Sequence, residues 1–234
     1  MLSQNTNNGN VASAKSLLRN NFVQRTLTTL ILGSFSIFVL LQGYPYGHLY
    51  AGLFVLGAII EWGHLIFSAR SPWFSRLIWF ISGTFLILCS SVGLGSLLYE
   101  NANVFVGILL LVWSTDIGAY LFGRWLKGPK LAPTISPNKT WSGAVGGVLM
   151  CLGVATLLAQ FNTSAYAQTL PWFLKHATLI SIVSQIGDLF ESWIKRKLGV
   201  KDSGSIIPGH GGILDRLDSI LTIGFGYFCI RLFW

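Results

Sequence analysis

The chain has only eight carboxylates, and five of them, Asp188, Glu191, Asp202, Asp215 and Asp218, fall between residues 188 and 218. In apolar surroundings a carboxylate costs a few kcal/mol, so each requires a partner or a cation. If residues 184–196 are helical, Asp188, Glu191, Ser192 and Lys195 share one face. Asp215 and Asp218 stand three apart at the start of the next apolar run. Two acid-bearing helix ends joined by one loop suit a hard divalent cation such as Mg²⁺, because every ligand on offer is oxygen. The loop carries Gly209, Gly211 and Gly212, whose backbone N–H groups could wrap an anion at a helix start. Lys195, Arg196, Lys197, Lys201 and Arg216 surround it. Acids, metal and basic groups together point to phosphoryl or nucleotidyl transfer. Plainer readings exist for each part alone. Asp188 with Lys195 could be a helix-end ion pair, Asp215 and Asp218 could complement a helix dipole, Lys195–Arg196–Lys197 could anchor topology, and His210 could be a loop hydrogen-bonder. They explain the five acids together poorly.

The elements that must hold these groups are membrane helices. Of 234 residues, 52% are apolar and 10% charged, against about 25% charged in soluble domains. The fold class expected is therefore an all-α, polytopic transmembrane bundle. Windows of about 20 apolar residues give seven spans near 26–42, 48–68, 76–98, 103–122, 142–161, 172–193 and 215–234, the Gly/Ser-rich third being open to division in two. Residues 1–25 read as a disordered polar tail, 26–100 as N-terminal helices and 101–234 as the region carrying the chemistry. All of the 16 basic residues except Lys175 and Arg231 fall on one face, which the positive-inside rule makes cytoplasmic. The net charge of +8 reads as a topology signal and not as a nucleic-acid surface, because basic residues are not interleaved with aromatics along one face. Cys89, Cys151 and Cys229 lie inside apolar runs with neither disulfide nor zinc spacing. Gly143, Gly146 and Gly147 offer small-residue spacing for close helix packing.

The stretches Ser192-Trp193-Ile194-Lys195-Arg196, Lys201-Asp202-Ser203-Gly204 and Pro208-Gly209-His210-Gly211-Gly212-Ile213-Leu214-Asp215-Arg216-Leu217-Asp218 resemble the signature of the phosphatidate cytidylyltransferase (CDP-diacylglycerol synthase) family. A second segment is similar: Asp116 to Tyr120, Gly123-Arg124, and Ser136-Pro137-Asn138-Lys139-Thr140-Trp141. The resemblance covers residues 114–218 and implies that CTP and phosphatidic acid give CDP-diacylglycerol and pyrophosphate. It further implies Mg²⁺, with K⁺ in some members, and a multi-pass protein of a bacterial-type inner membrane. Under it, Asp188 and Asp215 would be metal ligands, with Asp218 and Glu191 additional or supporting ones. Lys195, Arg196, Lys201 and Arg216 would clamp phosphates, and His210, Gly211 and Gly212 would line the nucleotide phosphate site. Asp116, Tyr120, Arg124, Ser136, Asn138, Lys139, Ser192 and Asp202 would complete the substrate pocket. One position departs: the family usually has Glu after Lys-Thr-Trp, and this chain has Ser142.

Two other classes use membrane acids. CDP-alcohol phosphotransferases need an upstream Asp-Gly and a later Ala-Arg, which Asp215-Arg216-Leu217-Asp218 lacks. A cation-coupled transporter could use Asp116 and Asp188, but the acids gather at one face and no internal repeat is visible. A homodimer through small-residue helix faces is compatible with the sequence, without a specific pattern for it.

Overall fold

The computed structural model describes residues 31–69, 71–160, 166–200, 203–204 and 212–233. The polar tail, the start of the first span, and Lys201, Asp202, His210 and Gly211 lie outside the described residues. Residues 1–39 and 40–234 are two units. In the described part of the first span, α1 is the short apolar helix Ile31–Leu41.

The second unit follows the apolar runs. It contains α2 (Tyr46–Ser68), α3 (Trp73–Glu100), α4 (Ala102–Leu126), α5 (Trp141–Gln160), α6 (Tyr166–Lys197) and α7 (Leu214–Phe233). Four of these, α2 to α5, are long and apolar enough to cross a membrane. Helices α6 and α7 carry more polar and charged groups, the ones the site requires. Large apolar side chains such as Leu53, Phe85, Trp125 and Leu149 point outward, an arrangement that lipid and not water accommodates. The chain is a membrane helix bundle.

Local chemistry sets the boundaries. Asn101 caps α4, its side-chain oxygen accepting from Asn103 N–H at 3.0 Å and Val104 N–H at 3.1 Å, so α3 and α4 form a hairpin around one residue. The third span is a single helix. Its Ser90, Ser91 and Ser96 hydroxyls donate to carbonyls four residues earlier, which satisfies them within the helix. Helix α6 is longer than the apolar window suggests, because its charged last turns continue past residue 193. It stops at Gly199 (φ 76°), where Val200 N–H reaches Lys195 O and Gly199 N–H reaches Arg196 O, the Schellman termination.

The α4–α5 connection holds an unforeseen element. Strands β1 (Lys130–Ala132) and β2 (Ser136–Thr140) form an antiparallel hairpin, with Lys130 opposite Thr140. Ser142 ties it down. Its hydroxyl donates to Lys127 O and shares a 3.0 Å hydrogen bond with Thr140 Oγ1.

Packing sets the helices at close range. A Cβ on Gly146 would meet Phe122 at 2.2 Å, and one on Gly143 would meet Ala119 O at 2.7 Å. The Gly143–Gly147 face of α5 is thus taken up by α4 of the same chain. Helix α6 joins this pair through Thr115 Oγ1 to Ser181 Oγ at 3.0 Å and Gln185 Nε2 to Ala144 O at 3.3 Å. A second apolar cluster unites Ala58, Trp62, Leu65 and Ile66 of α2 with Leu214 and Leu221 of α7. Cys89 and Cys151 are buried free thiols, and Cys229 is a partly buried one.

Candidate active site

The antiparallel crossing of α6 and α7 sorts the acids into two levels. Gly187 allows it: a Cβ there would meet Thr222 Oγ1 at 2.2 Å and Asp218 O at 3.2 Å. Ser219 Oγ donates to Ser184 O at 3.2 Å in the same crossing. Asp188 and Asp218 therefore lie near one another at a level further along the helices from the loop, the Asp188 side chain being 35% exposed. Seven residues along α6, about 10 Å at 1.5 Å per residue, Lys195 meets Asp215 at the rim.

At the rim, Lys195 Nζ donates to Asp215 Oδ1 at 2.7 Å and to Glu191 Oε2 at 3.1 Å. The side chains are 12% (Lys195), 11% (Glu191) and 15% (Asp215) exposed, so the triad is largely withdrawn from water. Asp215 is saturated with donors. Besides Lys195, its oxygens accept from Ser203 N–H at 3.2 and 3.3 Å and from Gly212 N–H at 3.1 Å. It reaches back three residues to Gly212, just ahead of the helix, and the Gly212 N–H is committed to it.

At the level further from the loop the negative charge is less matched. Asp188 pairs with Lys139 of β2 at 2.5 Å; it does not pair with Lys195. Asp116 on α4 lies in the field of Asp218 and Asp188, offset by Lys139 and Arg216. Glu191 faces Asp218 closely enough for the two carboxyl groups to share a hydrogen bond, and no N–H or hydroxyl donor reaches its buried Oε1. Oxygen ligands with an unmatched buried lone pair have the chemistry of a hard-cation site. Among the described residues, no three His, Cys, Asp or Glu side chains are already arranged around one metal position.

Other residues singled out in the sequence have different surroundings. Arg124 Nη1 donates to Tyr120 Oη at 2.7 Å, and the pair is exposed on α4. Arg196 donates to Ile135 O at 3.2 Å and Val200 O at 3.0 Å, so it ties the β hairpin to the end of α6. Ser136 and Asn138 precede Lys139 on β2, half-buried and exposed respectively, and Ser192 is half-buried one residue beyond Glu191.

One acid was missed. Glu61, inside the apolar run of α2, is 2% exposed. Its Oε2 accepts from Leu214 N–H at 2.7 Å and Ser203 Oγ at 3.1 Å. The signal was available, since a lone carboxylate within an apolar span requires a partner.

The cytidylyltransferase family model matches residues 73–233, which contain α3 to α7 and the β hairpin. A phosphatidate cytidylyltransferase of Brucella suis biovar 1 (strain 1330) is 44% identical over 173 residues, 71% of this chain and 63% of that protein. One of Rickettsia bellii (strain RML369-C) is 35% identical over 219 residues, 89% of this chain and 90% of that protein. One of Staphylococcus aureus (strain COL) is 44% identical over 147 residues, 59% of this chain and 54% of that protein. The chain thus spans less than two thirds of the Brucella and Staphylococcus relatives and nearly all of the Rickettsia one. Helices α3 to α7, with the acids they bring to one end of the bundle, belong to a member of the cytidylyltransferase family.

Proposed function

We propose that the chain transfers CMP from CTP to phosphatidic acid, giving CDP-diacylglycerol and pyrophosphate, at a site facing the cytoplasm in a bacterial inner membrane. The observation that carries this reading is the pairing of two acid-rich helix ends with Lys139 and Lys195 at one end of a membrane bundle, in a chain of this family. The relatives' name supplies the substrate pair. Arg124, Lys127, Lys130, Arg196 and Lys197, in or beside the connections that carry Lys139 and Lys195, lie at that same end, which supports a cytoplasmic orientation.

In the reaction a phosphatidate oxygen attacks the α-phosphorus of CTP; the new P–O bond forms as the bond to the β-phosphate breaks, and the electron pair leaves with pyrophosphate. The nucleophile is already largely ionised near neutral pH, so the site needs no general base. Its task is to hold two polyanions in line and to stabilise charge on the departing pyrophosphate. Lys139 and Lys195 supply fixed positive charge, each oriented by carboxylates. Asp215 holds Lys195 and the backbone of Ser203 and Gly212 in place.

Mg²⁺ fits the donor set: Asp188, Asp218 and Glu191 offer only oxygen, and no N–H or hydroxyl donor reaches the buried Glu191 Oε1. The unfilled ligand set agrees with the habit of Mg²⁺, which binds through one or two carboxylates plus substrate phosphates. Bound there, Mg²⁺ would supply charge neutralisation and polarisation of phosphate oxygens. Asp215, whose oxygens already accept four hydrogen bonds, is better suited to positioning than to ligation.

The test is purified protein in detergent with phosphatidic acid, Mg²⁺ and radiolabelled CTP. Chloroform-soluble label that a chelator abolishes supports the proposal. Label that appears only with an alcohol acceptor and preformed CDP-diacylglycerol would refute it, as would ion flux in liposomes without turnover.

A further inference from the structure

Helix α7 begins at Leu214, so Ile213 stands at its N-cap position. Ser, Thr, Asp and Asn are favoured there because a side-chain oxygen must accept the first free N–H groups. Isoleucine has none to offer. The missing acceptor comes from another helix: Glu61 of α2 receives Leu214 N–H at 2.7 Å and, with the same oxygen, Ser203 Oγ at 3.1 Å. Its partners lie 153 and 142 residues further along the chain.

Glycine at 212 and 204 follows from this arrangement. A Cβ on Gly212 would come within 2.4 Å of Glu61 Oε1 and 2.1 Å of Ser203 Oγ, and one on Gly204 within 2.1 Å of Glu61 Oε1. Ser203, Gly204 and Gly212 close over the carboxylate, and neither glycine has room for a side chain. Ser203, held by Glu61 through its hydroxyl, gives its backbone N–H to Asp215, and Asp215 grips Lys195. Glu61 touches neither Lys195 nor the acids further along the helices, so its influence on them passes through Ser203 and Leu214.

We infer that Glu61 is a positioning residue for the transfer reaction: an intramembrane carboxylate that caps α7 from α2 and fixes the Ser203–Asp215–Lys195 chain. The catalytic consequence rests on the function proposed above; the capping does not.

Hydrogen–deuterium exchange of the detergent-solubilised full chain, compared among wild type, Glu61→Gln and Glu61→Ala, separates the two. Glu61→Ala should speed exchange over residues 203–218 on the order of tenfold, the scale of one lost cap, with α4 and α5 unchanged. Glu61→Gln keeps one acceptor oxygen and should fall between the two. CTP turnover should follow the same order, with kcat down about 10- to 100-fold in Glu61→Ala, as for a misplacement of about 1 Å. If Glu61→Ala does not fold, Glu61→Gln alone decides. Exchange over 203–218 equal to wild type in the variants, or exchange rising equally in α4 and α5, overturns the inference. Wild-type protein that fails to turn over phosphatidate would remove the proposed function and leave the exchange comparison valid.

Discussion

Replacing Asp215 by Asn tests the rim of the site in a way that its hydrogen bonds make quantitative. Every group around Asp215 is a donor: Lys195 Nζ and Ser203 N–H at Oδ1, Ser203 N–H and Gly212 N–H at Oδ2. Asparagine has one acceptor oxygen and one NH₂. Turned one way, the NH₂ faces Gly212 N–H and that donor is left unsatisfied. Turned the other way, it faces the ammonium of Lys195, which then keeps only Glu191. Either orientation loses a charge-assisted hydrogen bond of about 1.5–3 kcal/mol and strands a buried donor at about 1–3 kcal/mol. If roughly 3 kcal/mol of this bears on the transition state, turnover falls on the order of 100-fold. The assay is initial rate of labelled liponucleotide formation over a Mg²⁺ titration. If Asp215 positions and does not ligate, as proposed, the Mg²⁺ concentration for half-maximal rate should stay near that of wild type while the maximum rate collapses. A variant within about threefold of wild type would refute the donor-saturation argument. A rate restored by raising Mg²⁺ would show that Asp215 is a metal ligand after all.

Asp188→Asn and Glu191→Gln should behave oppositely, each raising the Mg²⁺ requirement in the same titration, because these acids border the unmatched negative charge. Gly187→Ala pushes a methyl into Thr222 and the backbone of Asp218; overpacking of this kind costs about 1–3 kcal/mol, and a lowered thermal midpoint together with reduced turnover should follow. Ser142→Ala removes the hydrogen bonds from Ser142 to Lys127 and Thr140 and should cost about 1 kcal/mol in unfolding, read by thermal denaturation. Ser142→Glu, restoring the usual family residue, should retain activity; complete loss would indicate a reorganised site.

The helices were legible because lipid imposes a length and an apolarity that no other environment does, and α2 to α5 meet both. Legibility faded wherever that demand weakened. Helix α6 runs from residue 166 to 197, beyond the apolar window 172–193, since its last turn is charged and its start, with Gln168 and Thr169, is polar. The β hairpin is too short, and too polar at Ser136-Pro137-Asn138-Lys139, to stand out as strands. The acids of α6 and α7 were readable as a cluster because they are neighbours in sequence. Their partners were not. Lys139 reaches Asp188 from a distant hairpin, and Lys195 chooses Asp215 and Glu191 over Asp188, choices made by helix crossing and not by spacing. Glu61 stood alone in an apolar run, so no motif led to it.

Whether this acidic and basic helix end joins a nucleotide to a lipid phosphate is decided by mixing the purified chain with CTP labelled at the α-phosphorus, phosphatidic acid and Mg²⁺, then measuring label in chloroform and pyrophosphate in water. Equal amounts of the two products, both absent without phosphatidate or with chelator, are predicted. Pyrophosphate released without lipid-bound label, or no label in lipid under any of these conditions, would contradict it.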